Sequence, residues 1–487
     1  MSAAVSVDPR TGAEVAAPRE SSADEIRDVI AAAAAVAPEV AATPPRIRGA
    51  WLEALAAALV EHADELVALA DQETALGEVR LRTELERTAA NARYYGAVGA
   101  RGDWMRAVRD DLDGVSLARA FLPIGVVGVF GASNFPFQFG VLGHDTCSAI
   151  AAGCPVVVKH HPAHPRLSAR LGEVARAALA DAGAPDGVFG EVIGFAAGVE
   201  LVAADPVRAI GFTGSQRGGM ALVETAAART RPIPVYAEMG TVNPVLVTTR
   251  AAATRADDIA DGLVASFTLG GGQFCTKPGL VLLPEGSGLT ERIAGRVERA
   301  GGTWLLTAAI AQSFASGIDA RVATGSEVLA SGDRPDAGHA AAPTALRASI
   351  RDLTDGSPLI EECFGPLLII VEYADPAEAR DALARLQPSL AAAVQTDGSG
   401  ADPELEAVTP LLLDQVGRLV VDGWPTGVAC SDAMQHGGPW PATSRPDATS
   451  VGAAALERWT RPVAVQGVPD AALPAPLRAD DPWGVRP

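Results

Sequence analysis

The chain is short of lysine and asparagine. In 487 residues lysine occurs twice, at Lys159 and Lys277, and asparagine three times, at Asn91, Asn134 and Asn243. Arginine supplies the other 37 of the 39 basic positions, so it serves wherever a generic cation suffices. A compact ammonium and a planar guanidinium differ in shape and hydration, so a lysine kept against this background marks a place a guanidinium does not fill. Positive charge as a whole is also scarce. The 59 acidic residues outnumber the 39 basic ones, and a net charge of -20 excludes the broad cationic surface that nucleic acid or anionic membranes require. The expected partner is a small molecule.

Cysteine is sparse. Cys147, Cys154, Cys275, Cys363 and Cys430 are odd in number and widely spread with no CxxC pair, which argues against a disulfide framework or a zinc site. A reducing, cytoplasmic setting is expected. The start MSAAVSVDPRTGAEV lacks a basic segment followed by an apolar one, and no apolar run reaches membrane-spanning length. Aromatic residues make up only 5% of the chain, but 48% hydrophobic residues over this length allow two or three packed domains.

Apolar residues at helical spacing from Ala23 to Val36, Trp51 to Leu69 and Leu81 to Val98 predict an amino-terminal set of helices. From Leu122 short apolar runs alternate with helical ones. LPIGVVGVFGA precedes a helical stretch to Ala152. PVVVKHHP, VFGEVIG and RAIGFTGS follow, separated by helices over Arg166 to Ala182, near Val199, and up to Arg229. A second series runs through PVYAEMG, NPVLV, a helix from Ala251 to Leu269, LVLLP, PLLIIVEY, a helix to Leu386, LAAAVQT and RLVVDG. Such alternation implies βαβ units and parallel sheets buried on both faces, an α/β fold with two doubly wound domains. Ser316 to Thr344 has weak periodicity and reads as surface loops. The tail after Val463 reads as an extended segment.

Several motifs sit where such sheets bind ligands. Lys159 ends the apolar run in PVVVKHHP, suited to ribose hydroxyls or phosphate. In GFTGSQRGG, Gly214, Ser215 and Gly219 mark a strand-to-helix turn whose N–H groups can meet a pyrophosphate, although an ordinary glycine turn reads the same way. His160, His161 and His164 lie among prolines without acidic or cysteine partners, so no metal is expected.

Asn134 in VFGASNFPF is either a helix cap or an amide donor to an oxyanion. Glu238 in YAEMGTVNP is either a surface carboxylate or a half-buried base for water. Cys275, in GGGQFCTK, is either a small packed residue or a nucleophile reached past three glycines; Cys147 and Cys154, in apolar surroundings, suggest packing. Glu362 and Phe364 in EECFGP form an acidic-aromatic turn that can hold a sugar or simply turn the chain.

Together, Asn134, Lys159, the Gly214 to Gly219 turn, Glu238, Cys275 and the Glu362–Phe364 pair resemble the aldehyde dehydrogenase superfamily in order and approximate spacing, over nearly the whole chain. GASNFPF without the tryptophan of other versions, VVVKHHPAHP, GGGQFCTKPGLV and WPTGVACSDAMQHGGPWPATS resemble the 2,5-dioxovalerate (α-ketoglutarate semialdehyde) dehydrogenase branch, itself similar to NADP-dependent fatty aldehyde dehydrogenases.

The resemblance implies that Cys275 attacks an aldehyde, that Asn134 and the Cys275 N–H hold the oxyanion, and that Glu238 activates water against the resulting thioester. It assigns Lys159 and Glu362 to the cofactor riboses, Gly214 and Ser215 with Gly219 to the pyrophosphate turn, and Phe364 to the nicotinamide ribose. Many NAD-preferring members carry a glutamate three residues after the lysine; Pro162 here implies NADP, with NAD possible.

The implied layout is a cofactor-binding segment over 1–234, with about 102–121 in an oligomerisation element, a catalytic segment over 235–425, and a return over 426–487, in a homo-oligomer, dimer or tetramer. Asp422 stands where the family usually has asparagine, and the loop in PWPATSRPDATS is shortened; both are expected near the substrate mouth. The alternatives are an aliphatic or fatty aldehyde dehydrogenase and, more remotely, a cofactor-independent thiol hydrolase. The hydrolase requires a histidine base, and none of the seven histidines lies in a strand-end motif like that of Glu238. A silent structural relative would lack the cysteine.

Overall fold

The computed structural model describes residues 5–485. The first four residues of the expected cofactor-binding segment and the last two of the carboxyl-terminal segment lie outside that range. Val126–Phe130, Val156–Lys159, Phe189–Val192, Val207–Gly214 and Val235–Met239 form a parallel sheet whose spatial order is third, second, first, fourth, fifth. Runs such as VVGVF, buried at every position, form strands because β-branched side chains pack on both faces of a covered sheet. Helices His144–Ala152, Pro165–Asp181, Phe195–Ala203 and Gln216–Ala227 make the four crossovers. The order reverses between Val126–Phe130 and Val207–Gly214, which opens a crevice at the carboxyl ends of those two strands.

A second sheet has seven strands, in the order Glu327–Ser331, Thr344–Ala348, Leu367–Tyr373, Leu280–Pro284, Pro244–Val247, Ser389–Gln395, Val416–Val421. All its pairings are parallel except that of the edge strand Glu327–Ser331 with Thr344–Ala348. A third, antiparallel sheet joins Val108–Leu112 and Val115–Pro123 to Thr460–Gln466. The chain also returns to the first sheet near its end: Met239 N–H donates to Ala442 O at 2.8 Å and Ser444 N–H to Ala237 O at 3.1 Å, sealing the edge strand that carries Glu238.

Some local expectations are corrected. Trp51 to Leu69 is two helices, Pro45–Glu61 and Ala63–Thr74, meeting at His62. The buried positions Leu59 and Leu66 stay seven residues apart across the break, so periodicity could not reveal it. LPIGVVGVFGA is two strands of different sheets, divided at Gly125 with φ +113°. The helix expected up to Ala152 begins only at His144; residues 133–143 form compact turns, with Phe139 N–H on Phe135 O and His144 N–H on Gln138 O. Ala251 to Leu269 breaks at Arg255 into Thr249–Thr254 and Ala256–Thr268.

Ser316 to Thr344 is not mainly loop. It contains the end of helix Ala308–Ala323 and the edge strand Glu327–Ser331. That helix buries only Phe314 and Arg321, and the strand only Ala330, which is why neither shows a clear apolar period. The tail is an extended segment that packs: after the strand Thr460–Gln466, Leu473 and Leu477 lie on Ala107, Ala118 and Ala120.

Candidate active site

Cys275 lies on the loop between helix Ala256–Thr268 and strand Leu280–Pro284. The three glycines ahead of it share a left-handed backbone, φ +57°, +70° and +65° at Gly270, Gly271 and Gly272. A Cβ at Gly272 would stand 2.4 Å from the Gly365 carbonyl. The run therefore winds the loop tightly against the Gly365–Pro366 backbone, a path that residues with side chains take only under strain. Beyond the glycines, Asn243, itself at φ +52°, donates through Nδ2 to Cys275 O at 2.7 Å and Lys277 O at 3.2 Å.

Asn134 is not a helix cap, since the next helix starts ten residues on, at His144. Its Nδ2 donates to Gln273 O at 2.8 Å, which brings the amide to the cysteine loop and leaves one amide hydrogen for another acceptor. The Asn134 carbonyl accepts from Arg80 at 2.7 Å, and the Arg80 guanidinium lies over the rings of Phe135 and Phe274 at 5.2 and 4.9 Å. Glu84, one turn on, accepts from Phe137 and Gln138 N–H at 2.8 and 3.0 Å.

Glu238 ends the fifth strand and is 5% exposed, with Oε2 free of any hydrogen bond. Burial raises its pKa from 4.5 to about 8, with Arg458 opposing. His436 stands between this carboxylate and the thiol. Its Nε2 is 3.6 Å from Cys275 Sγ and its Nδ1 4.0 Å from Glu238 Oε2. Burial, reinforced by Arg418 and Arg458, lowers the His436 pKa to about 3, so the ring is neutral at ordinary pH. Burial and the carboxylates of Glu362 and Glu238 push the Cys275 thiol up to about 12. Cysteine and asparagine, carboxylate and imidazole thus meet from four separate segments. The sequence shows no strand-end motif around any histidine, and none is needed: His436 reaches the thiol from a loop 161 residues later.

The remaining candidates lie at the end of strand Val156–Lys159, at the opening of helix Gln216–Ala227, and beside Gly240 next to the cysteine loop. Lys159 ends its strand half-buried, its stem near Gly198. Ser215 caps helix Gln216–Ala227 through its hydroxyl, accepting from Gly218 N–H at 3.2 Å, while Gly214 just before it is exposed. Gly219 lies within the helix, where a Cβ would meet Met239 Sδ at 2.7 Å, so it serves helix-to-strand packing. Glu362 reaches the strand-end residue Gly240, whose Cβ would overlap its carboxyl group, and Phe364 is half-buried. Burial pushes the Glu362 carboxyl up and the Lys277 ammonium opposes it. Lys277 is 3% exposed and donates to Cys363 O and Leu367 O at 3.2 and 2.9 Å, beneath the cysteine loop.

Of the histidine run, His164 donates through Nε2 to Ala132 O and accepts at Nδ1 from the Ser168 hydroxyl, both at 3.0 Å, and so ties a helix start to the end of the first strand. Asp422 is occupied by Thr396 N–H at 2.7 Å and Arg255 at 2.8 Å. Cys147, Cys154 and Cys363 are buried. Sequence reasoning missed Asn243, Arg80 and His436. Asparagine scarcity was a signal for the first, because Asn91 also reaches this region, at 3.3 Å from His144 Nε2.

Comparison with known proteins places this geometry. The model of the aldehyde dehydrogenase family matches residues 2–438. Alpha-ketoglutaric semialdehyde dehydrogenase 2 of Azospirillum brasilense is 41% identical over 461 residues, spanning 91% of this chain and 87% of that protein. Alpha-ketoglutaric semialdehyde dehydrogenase of Acinetobacter baylyi is 37% identical over 452 residues, spanning 90% and 86%. The solved structure of PnpE in complex with nicotinamide adenine dinucleotide has a TM-score of 0.83 at 23% identity, covering 95% of this chain and 93% of that one, a likeness of fold. With the family model matched over most of its length and relatives of this identity over nine-tenths of it, the chain belongs to the aldehyde dehydrogenase family and is an NAD(P)-dependent aldehyde-oxidising enzyme.

Proposed function

We propose that the enzyme oxidises α-ketoglutaric semialdehyde (2,5-dioxopentanoate) to α-ketoglutarate, using NADP and also accepting NAD, with Cys275 as nucleophile, Asn134 as oxyanion donor and Glu238 as the base for water. The observation that carries the chemistry is the meeting of Cys275, His436 and Glu238 at 3.6 and 4.0 Å, with the Asn134 amide held on the same loop. The names of the two relatives support the substrate.

The residues present suit a nicotinamide dinucleotide. Lys159 stands at a strand end beside Gly198, and on the same helix face Phe195 and Val199 are 84% and 45% exposed, an apolar wall for a flat ring next to a cation for a ribose or phosphate. Pro162 puts no carboxylate there to repel a 2′-phosphate. Gly214 and Ser215 open helix Gln216–Ala227, whose amino end favours an anion. When bound, the dinucleotide supplies the hydride acceptor.

The thiol is protonated at neutral pH and loses its proton toward His436 Nε2, whose other nitrogen faces Glu238, the stronger proton acceptor of the pair. The sulfur then attacks the aldehyde carbon. The free Asn134 amide hydrogen and the Cys275 N–H hold the oxygen that gains charge, each donor contributing on the order of 3 kcal/mol. The product of oxidation is a thioester on Cys275. After the thiol's proton has passed on to solvent, Glu238, ionised, takes a proton from the water that adds to the thioester; the C–S bond breaks, the Cys275 thiolate leaves, and the acid departs.

The wider layout follows the same reading: a cofactor-binding segment over 1–234, a catalytic one over 235–425, and a return over 426–487. The antiparallel sheet, with its outer strand Val108–Leu112 largely exposed, is proposed as the contact of a homo-oligomer in the cytoplasm. The test is the rise in reduced-nicotinamide absorbance with the semialdehyde, with NADP and NAD in parallel, for the native enzyme and Cys275→Ala. Turnover abolished by the substitution is expected. Turnover of long-chain aldehydes but not of the semialdehyde would replace the substrate and keep the chemistry.

A further inference from the structure

The semialdehyde presents its aldehyde to Cys275 and carries a carboxylate about 5 Å away along an extended carbon chain. An anion entering a half-buried cleft that already holds Glu238 and Glu362 needs a cation at that distance to offset desolvation and repulsion. Most cations near the thiol are already engaged. Arg458 pairs with Asp145 at 2.7 Å and lies over the Trp459 ring at 4.4 Å. Arg80 is wedged between Phe135 and Phe274, spends Nη2 on Asn134 O, and has its unpartnered Nη1 buried against Gly270, where a Cβ would stand 2.3 Å away. Lys277 is bound to two carbonyls below the loop.

Arg418 differs. It lies on the strand Val416–Val421, half-buried, with one terminal nitrogen donating to Pro425 O and no ion pair among the described residues. Two tethers bring it to the thiol. On one side its neighbour Gly417 packs on Gly437, where a Cβ would stand 2.0 Å from Gly437 O, and Gly437 follows His436. On the other, Gly427 N–H, two residues past Pro425, donates to the hydroxyl of Thr276, the residue after Cys275, at 3.1 Å. Its charge favours the Cys275 thiolate and disfavours protonation of His436, so its field reaches both.

We propose that Arg418 is the specificity-determining residue that receives the substrate carboxylate, an assignment that rests on the semialdehyde reading. The planar fork matches a carboxylate in a way a point cation does not.

The test compares α-ketoglutaric semialdehyde with pentanal, which has the same carbon count and no carboxylate, for the native enzyme, Arg418→Met and Arg418→Lys. For Arg418→Met, KM for the semialdehyde is expected to rise on the order of 100-fold, with a far smaller change for pentanal. Arg418→Lys keeps the charge and loses the fork, so a smaller rise is expected; it also serves where methionine disturbs the strand. NADP binding, read by quenching of protein fluorescence, is expected to match the native enzyme. A native enzyme that prefers pentanal overturns the substrate reading and the arginine's role with it. A native preference for the semialdehyde, with variants that lose both substrates in proportion or neither, overturns the arginine's role alone.

Discussion

His436 Nε2 lies 3.6 Å from the sulfur of Cys275, and the far side of the same ring faces Glu238. A thiol pushed up to about 12 by burial needs a nearby acceptor to react at neutral pH, and the imidazole is the group in reach. His436→Asn is therefore expected to lower kcat/KM by about 100-fold or more. The discriminating measurement is the rate of Cys275 alkylation by iodoacetamide against pH in the absence of substrate. It should fall with kcat/KM; an unchanged alkylation profile would sink the role given to His436.

Glu238 has a sign that pH can read. Its carboxyl is raised from 4.5 to about 8 by burial, and it must be ionised to take a proton from water. Thioester hydrolysis should therefore climb about tenfold per pH unit below about 8 and level off above it. Glu238→Gln is expected to retain a pre-steady-state burst of reduced nicotinamide and lose steady turnover. Stability runs the opposite way. The folded protein binds this proton more tightly than the unfolded chain, so the group's contribution falls as pH rises from about 4.5 to about 8. Thermal melts of the two proteins should then diverge in favour of the variant toward pH 8. Parallel melts would place the proton elsewhere.

Gly272 combines φ +65° with a Cβ position 2.4 Å from the Gly365 carbonyl. Gly272→Ala should cost about 2 kcal/mol or more, through left-handed strain and backbone overlap. It should also displace the cysteine loop. Denaturant unfolding together with the alkylation rate checks both, and native values of both would show that the loop tolerates a side chain.

Pro162 occupies an exposed position three residues after Lys159, where the resemblance puts a glutamate in NAD-preferring members. Pro162→Glu is expected to reduce kcat/KM for NADP by about tenfold or more through repulsion of the 2′-phosphate, with little loss for NAD. Equal effects on both cofactors would move the 2′-phosphate contact to other residues.

The sequence alone was enough to read the two series of parallel strands and the ends of the strands that carry Lys159 and Glu238, because buried β-branched runs and strand-end placement are local patterns. Residue scarcity pointed further. Both lysines and all three asparagines lie at the end of strand Val156–Lys159 or around the cysteine loop and the segment Asn134–His144. What stayed hidden were breaks that keep the apolar phase, as at His62, and the exposed edge elements between Ser316 and Thr344, whose burial is too slight to leave a period.

Chemistry by residue type was thus a property of the sequence: a cysteine after three glycines, a glutamate at a strand end, an asparagine after a buried strand. Which of these groups meet, and in what field, belonged to the tertiary structure. His436 and Arg418 carry no local mark, because proximity across 161 and 143 residues comes from the return of the chain over the first sheet and the closing strand of the second. Likewise the displaced proton affinities of Cys275 and Glu238 come from burial, which no linear spacing encodes.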